Sequence, residues 1–273
     1  MTKLKILNKI IVDLHSFNHR KFPTVLANSM PKAGTNLLIR LLGLLNFHPY
    51  GRYVDIGPNE GLSYIDSHQL EFLEKKLFTL KPGLFTKSHI YYFPEIEELL
   101  QKLQIKTITI IRDPRDVCVS DFFYILKNPN HRLHSFYKKL TQAEQLMASI
   151  KGIPSEKLNG SPDSLDIGSH YKYYKGWVNK SAGVVIKFED LIGEKGGGSR
   201  EDQKNTVIKI IKYLGIELPD RKLKFVCSKV FWPNARTFRK GQVGGWKDYF
   251  RPDHLEAFYN VMGDMMNFFG YKD

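Results

Sequence analysis

Two short clusters of residues in this chain are built to hold negative charge. The first is Pro31-Lys32-Ala33-Gly34-Thr35, between an apolar run and a Leu-rich one. The second is Arg112-Asp113-Pro114-Arg115-Asp116, with Ser120 one helical turn further on. In a strand–turn–helix, free backbone amides and the positive end of the helix dipole converge on one spot. An anion held at the first cluster would gain charge-assisted hydrogen bonds from Lys32 and the Thr35 hydroxyl. Gly34 would let the backbone approach closely. The lysine precedes the glycine and position 29 is Ser, so this is not the G-x-x-x-x-G-K-[ST] loop. In the second cluster Arg112 stands at the end of a strand-like run, where open α/β sheets bind ligands. Asp113 suits an N-cap and Pro114 a first helical turn; Asp116 and Ser120 then share a helix face. Each cluster alone has a plain alternative: an ordinary turn with a surface lysine, or a solvated arginine beside a helix-dipole carboxylate. Together they imply a ligand carrying phosphates at two separated positions.

The elements that must position these residues alternate in type. Strand-like runs lie at 23–29, 84–89, 106–111 and 183–188, the first and third rich in β-branched residues. Helical stretches are expected at 35–46, 68–79, 94–103, 114–127, 133–150, 203–214 and 253–268. This alternation predicts one α/β domain: a central parallel sheet flanked by helices, with a P-loop-like strand–turn–helix at its first strand. At 273 residues the chain is long enough for one such domain with a sizeable core. Lys151 to Ser169, without periodicity, and the glycine run Gly193 to Arg200 read as mobile surface loops. Residues 1–22 place Leu4, Leu7, Ile10, Ile11 and Leu14 on one helical face with lysines opposite. That pattern predicts an amphipathic helix docked on the domain of residues 23–273, with a membrane-surface anchor as the alternative.

Three motifs in consistent order carry a family resemblance. Pro31 to Thr35 resembles the 5′-phosphosulfate loop, P-K-S-G-T, of sulfotransferases that use 3′-phosphoadenosine-5′-phosphosulfate (PAPS, whose product is the bisphosphate PAP). Arg112 to Ser120 is similar to their 3′-phosphate motif, and Arg239-Lys240-Gly241-x-x-Gly244-x-Trp246-Lys247 to their R-K-G-x-x-G-x-W-K segment. The resemblance implies the sulfotransferase fold and a role for each matching position. Lys32 would stabilise charge on the bridging oxygen. Thr35 and the amides from Lys32 through Ala33 and Gly34 to Asn36 would hold the 5′-phosphate. Arg112, Ser120, Arg239, Gly241 and Lys240 would hold the 3′-phosphate. Lys87-Ser88-His89 is similar to the family's K-T-H, which makes His89 the expected general base and Lys87 its helper. Imidazole suits that task because its pKa lies near operating pH.

The chain departs from the family in two places. Asn36 and Leu37 stand where a Trp usually stacks on adenine, which leaves Phe188, Trp232 or Phe231 to hold the base, with Ser228 near it. The dimerisation segment of the animal cytosolic enzymes has no match after Trp246, so the oligomeric state is left open. These departures and the short chain suggest a microbial member acting on a secondary metabolite or lipid. The acceptor is expected to be a small alcohol, phenol or amine, with Tyr53, Asp55, Tyr64, Phe123 and Tyr124 as candidate pocket residues. For each of these five, ordinary packing is the plainer role. Residues 51–67 would wall that pocket and 151–169 cap it.

The charge balance fits this reading. With 41 basic and 28 acidic residues the net charge is +13, a field that steers anionic ligands. Nucleic acid is not expected, because the basic residues are dispersed and no base-reading motif is present. No apolar run is long enough to span a bilayer, and no cleavable signal peptide is evident. Two cysteines, Cys118 and Cys227, do not make a disulfide scaffold, so a cytoplasmic location is expected. The histidine pairs His15/His19 and His131/His134 lack further ligands, so no metal is expected. A kinase using the Lys32 loop would need a carboxylate and magnesium, yet strand 106–111 ends in Arg112. A nucleotide-binding protein without catalysis would not need His89.

Overall fold

The structure, a computed structural model, describes residues 22–51, 53–56, 65–159, 162–179, 183–234 and 239–272. The expected N-terminal helix lies outside the described residues, apart from Phe22. Six strands form one sheet: β1 (Val25–Ser29), β2 (His48–Pro49), β3 (Val54–Ile56), β4 (Leu84–Ile90), β5 (Lys106–Ile111) and β6 (Val184–Lys187). Their order is β2-β4-β1-β5-β6, and β3 also pairs with β4. Every pair is parallel. The four expected strands are all present; β2 and β3, two and three residues long, are too short to show a period.

Both faces of the sheet are covered. Val25 and Ala27 face one apolar cluster and Leu26 the other, so β1 alternates between two buried environments and reads as a continuous apolar run. The helices, in chain order, are α1 (Thr35–Leu44), α2 (Ser67–Phe78), α3 (Pro94–Lys102), α4 (Pro114–Lys127), α5 (His134–Tyr137) and α6 (Gln142–Lys151). They continue with α7 (Ile167–Asn179), α8 (Phe188–Ile192), α9 (Arg200–Leu214), α10 (Asp220–Val230), α11 (Pro252–Met262) and α12 (Met265–Phe268). Helices α1, α8, α9 and α10 cover one face, and α3, α4, α6, α7 and α11 the other.

Several sequence expectations are corrected. The single helix at 133–150 is two, because Thr141 starts a new one with a capping box: its hydroxyl accepts from the Glu144 amide and its amide donates to the Glu144 carboxylate. The supposed loop 151–169 contains a 3₁₀ turn at Ser155–Lys157 and the start of α7. Helices α7 and α10 were not anticipated. The glycine run at 193–200 is an ordered turn: Gly193 and Gly197 adopt positive φ, and the Gly196 carbonyl accepts from the Val243 amide at 2.9 Å.

The chain leaves β1 toward β2–β4 on one side and later returns to place β5 and β6 on the other. This reversal opens a crevice at the carboxyl ends of the central strands, the usual ligand position in such sheets.

Candidate functional site

The ends of β1, β4 and β5 meet at this crevice, and buried polar side chains fix their spacing. Asn28, fully buried on β1, donates to the Ile90 carbonyl at 3.1 Å and accepts from the Ile90 amide at 2.9 Å and from Ser88 Oγ at 3.1 Å. Helix α7 lies across the three strand ends and gives each a donor. Tyr171 Oη donates to the Arg112 carbonyl, Tyr174 Oη to Ser29 O at 2.8 Å, and Trp177 Nε1 to Ile90 O at 2.9 Å. Sequence reasoning missed all four residues. The signals were an Asn inside an apolar strand and three polar-tipped aromatics at a spacing of three, which face one way on a helix.

The expected anion loop connects β1 to α1. Gly34 sits at the N-cap with φ of 115° and no side-chain cap, so the first amides of α1 face the loop. Lys32 also has a positive φ, 66°, a conformation that costs a non-glycine residue free energy. Ala33 is buried and its amide donates to Met30 O at 3.0 Å, whereas the amides of Lys32 and Gly34 have no backbone partner among the described residues. Thr35 Oγ1 meets Ser29 Oγ at 2.5 Å, and Asn36 is exposed on the first turn. The Lys32 ammonium lies 3.7 Å from the centre of the Tyr124 ring. Burial lowers its pKa to about 8; Asp121 opposes that shift, while Arg112 and Arg239 add to it.

Arg112, 8% exposed, closes the other side of the crevice. Its Nη2 donates to Gln242 O at 2.9 Å and lies 3.4 Å from Asp116, while its buried Nε has no partner among the described residues. Asp116 accepts from the Gly244 amide at 3.0 Å and the Trp246 amide at 2.9 Å. The two residues therefore dock the third motif, which is remote in sequence, against the second. Arg239 lies over the Phe123 ring at 4.6 Å and donates to Tyr249 Oη at 3.3 Å. Gly241 has φ of 59° and an amide without a backbone partner among the described residues. Lys240 is exposed and pairs with Asp248 at 3.1 Å. Ser120 lies one turn beyond Asp116 and is half-buried. The turn at 193–198 supports the segment from below: a Cβ on Gly196 would come within 2.7 Å of Gly241 O.

His89, at the end of β4, has one nitrogen committed. Its Nδ1 lies 2.7 Å from Ser29 O and donates to it, which leaves Nε2 as the lone-pair nitrogen. Burial lowers its pKa below the ordinary 6.5; the Ser29 bond and Asp55 oppose this, and Lys32 reinforces it. Tyr53 stacks on the ring at 5.1 Å, and the Lys87 ammonium lies 4.9 Å from the centre of Tyr53. Asp55 pairs with His89 in the β3–β4 register. Tyr64 and most of the 51–67 wall lie outside the described residues.

The expected adenine contacts are dispersed. Phe188 is 5% exposed, packed beneath Gly34 and under the Arg112 guanidinium at 4.2 Å. Its ring supports both anion sites from inside the core. Trp232 is 43% exposed with the Arg40 guanidinium 5.3 Å from its centre, and Phe231 is half-buried. Ser228 is exposed and donates to Phe225 O. A cavity of about 670 Å³ opens beside Lys32, between α4, α7, Ser155 and residues 162–165.

These side chains fit a ligand with two phosphates: open loop amides and Lys32 on one side, an unpartnered Arg112 Nε and Arg239 on the other. Among the described residues no cluster of His, Cys, Asp or Glu could hold a metal ion, and no helix is long and apolar enough to cross a membrane.

Comparison with known proteins agrees with the motifs. The family model described as sulfotransferase domain matches residues 22–270. Mouse sulfotransferase 2A6 is 25% identical over 96% of this chain and 90% of its own length. Guinea pig 3-beta-hydroxysteroid sulfotransferase is 27% identical over 86% of this chain and 81% of its own length. The crystal structure of mouse sulfotransferase SULT7A1 complexed with PAP shares the fold with a TM-score of 0.58 at 22% identity, over 90% of this chain and 85% of that one. Retinol dehydratase in complex with androsterone and the inactive cofactor PAP does so with 0.53 at 16%, over 93% and 85%.

Proposed function

The chain belongs to the sulfotransferase family, and we propose that it moves the sulfuryl group from PAPS to a hydroxyl or amine of a small molecule, in line and without a metal. The observation that carries this is the meeting of two anion sites and a proton acceptor at one crevice. Lys32 and the open loop amides form the first anion site, and Arg112 with Arg239 and Gly241 the second. His89 presents its free Nε2 beside them. The donor supplies an activated sulfuryl group on a phosphosulfate. Everything else is the work of the chain.

Lys32 neutralises charge that develops on the leaving oxygen, and Lys87 stands by the same crevice. Positioned cations of this kind can lower a barrier without a metal. Thr35 and the loop amides hold the 5′-phosphate; Arg112, Ser120, Arg239 and Gly241 hold the 3′-phosphate, with Lys240 at the rim. Adenine falls to the aromatic pair Phe231 and Trp232, because Phe188 is covered. His89 takes the proton of the acceptor hydroxyl at Nε2, and its lowered pKa keeps it neutral and competent at physiological pH. A kinase reading would want a carboxylate at the end of β5, where Arg112 follows Ile111 instead.

The test is His89→Asn. Acceptor-dependent release of PAP should fall by roughly 10²–10⁴-fold, with PAP affinity unchanged. Full activity in the variant would refute His89 as the base.

A further inference from the structure

The cavity beside Lys32 contains a carboxylate that nothing in the transfer reaction uses. Asp121 follows Ser120 on α4 and, with Val117 and Cys118 one turn earlier, lines the cavity. It makes no hydrogen bond to another described residue and no ion pair with one; among the described residues, Lys32 is the cation that acts on its charge. Burial raises its pKa to about 6, so it is mostly ionised at neutral pH.

The other basic side chains of the cavity are committed or neutral. Arg132 donates to Pro162 O at 2.7 Å and to Asp163 O at 3.1 Å. His131 is pushed down by burial and by neighbouring cations. His170 is pushed down to about 4 and meets Tyr91 Oη through Nδ1. The second carboxylate, Asp163, accepts from the Ser155 amide at 2.6 Å. Once Lys32 engages the leaving group, the half-buried Asp121 is left without its counter-charge. A partly desolvated carboxylate without a counter-charge is costly, and a bound cation lowers that cost. The remaining walls, including Tyr91, Val117, Leu133, Tyr137 and Ile167, suit an apolar or aromatic body.

We propose that Asp121 is the acceptor-recognition carboxylate of this protein, holding the ammonium group of a cationic aromatic or apolar acceptor in the cavity beside Lys32. This rests on the sulfotransferase reading and names the substrate class for it. The acceptor then carries both the group that is sulfated and a separate amine that orients it.

The test titrates tyramine and 4-ethylphenol, which differ in the ammonium group, into protein saturated with adenosine 3′,5′-bisphosphate. Tyramine should bind roughly tenfold more tightly, and in Asp121→Asn the two should bind alike. The ratio of affinities is the readout, because a change in the shape of the cavity acts on both probes. Equal affinities in the wild type, tighter 4-ethylphenol, no binding of tyramine, or a preference that survives in Asp121→Asn overturns the proposal. Failure to bind the bisphosphate contradicts the sulfotransferase reading instead. The two probes are then compared on the free protein by the same criteria.

Discussion

Lys32 provides a quantitative test of the loop, because its proton is linked to the ligand. In the free site its pKa is about 8 against an ordinary 10.5, with burial as the main cause. The difference corresponds to ~3 kcal/mol against the charged form. Phosphate oxygens beside the ammonium reverse that penalty and return the pKa toward 10.5. At pH 9 the protonated fraction would then rise from ~0.1 to ~0.97, an uptake of ~0.9 proton per bisphosphate bound. The sign follows: affinity is greatest below pH 8 and falls by up to about tenfold per pH unit above it, until the bound-state pKa is reached. Asp121, at about 6, is already ionised, the phosphates are fully charged, and arginines do not titrate. Calorimetry at pH 9 in buffers of differing ionisation enthalpy reads the uptake directly, and Lys32→Met should abolish it. A binding heat independent of buffer, or equal uptake in Lys32→Met, would refute the placement of this lysine at the anion.

Two further outcomes follow from the framework around the site. Asp116→Asn keeps one acceptor oxygen for two amides, Gly244 and Trp246, so one half-buried donor loses its partner. Bisphosphate affinity should drop by roughly tenfold and the thermal midpoint should fall, as titration and calorimetric melting would show. Tyr174→Phe removes one of two donors to Ser29 O and leaves that of His89. It should cost ~1 kcal/mol in urea unfolding, with bisphosphate affinity unchanged.

The central strands and their attached motifs were legible because each strand is buried on both faces and each motif sits where a strand ends. Val25–Ser29 with Lys32, and Lys106–Ile111 with Arg112, are continuous local signals. What the sequence hid was mostly non-local. Helix α7 is poor in strong helix formers and is held by packing and by Tyr171, Tyr174 and Trp177 reaching strand ends far away in the chain. Asp116 reads as a helix-dipole carboxylate until Gly244 and Trp246 are seen to bind it. The turn at 193–198 has the composition of a flexible linker, yet its glycines permit close contact with the third motif. Phe188 was a candidate for adenine by its place in Lys187-Phe188-Glu189-Asp190, but the space above it is taken by Gly34 and Arg112. The capping box at Thr141 was legible and was overlooked.

The most direct test of the two-phosphate site is a metal-free titration with adenosine 3′,5′-bisphosphate beside ATP, in the wild type and in Arg112→Ala. Tight bisphosphate binding, much weaker ATP binding and loss of the former in Arg112→Ala are the predicted result. No bisphosphate binding, or a requirement for magnesium and ATP, would contradict it.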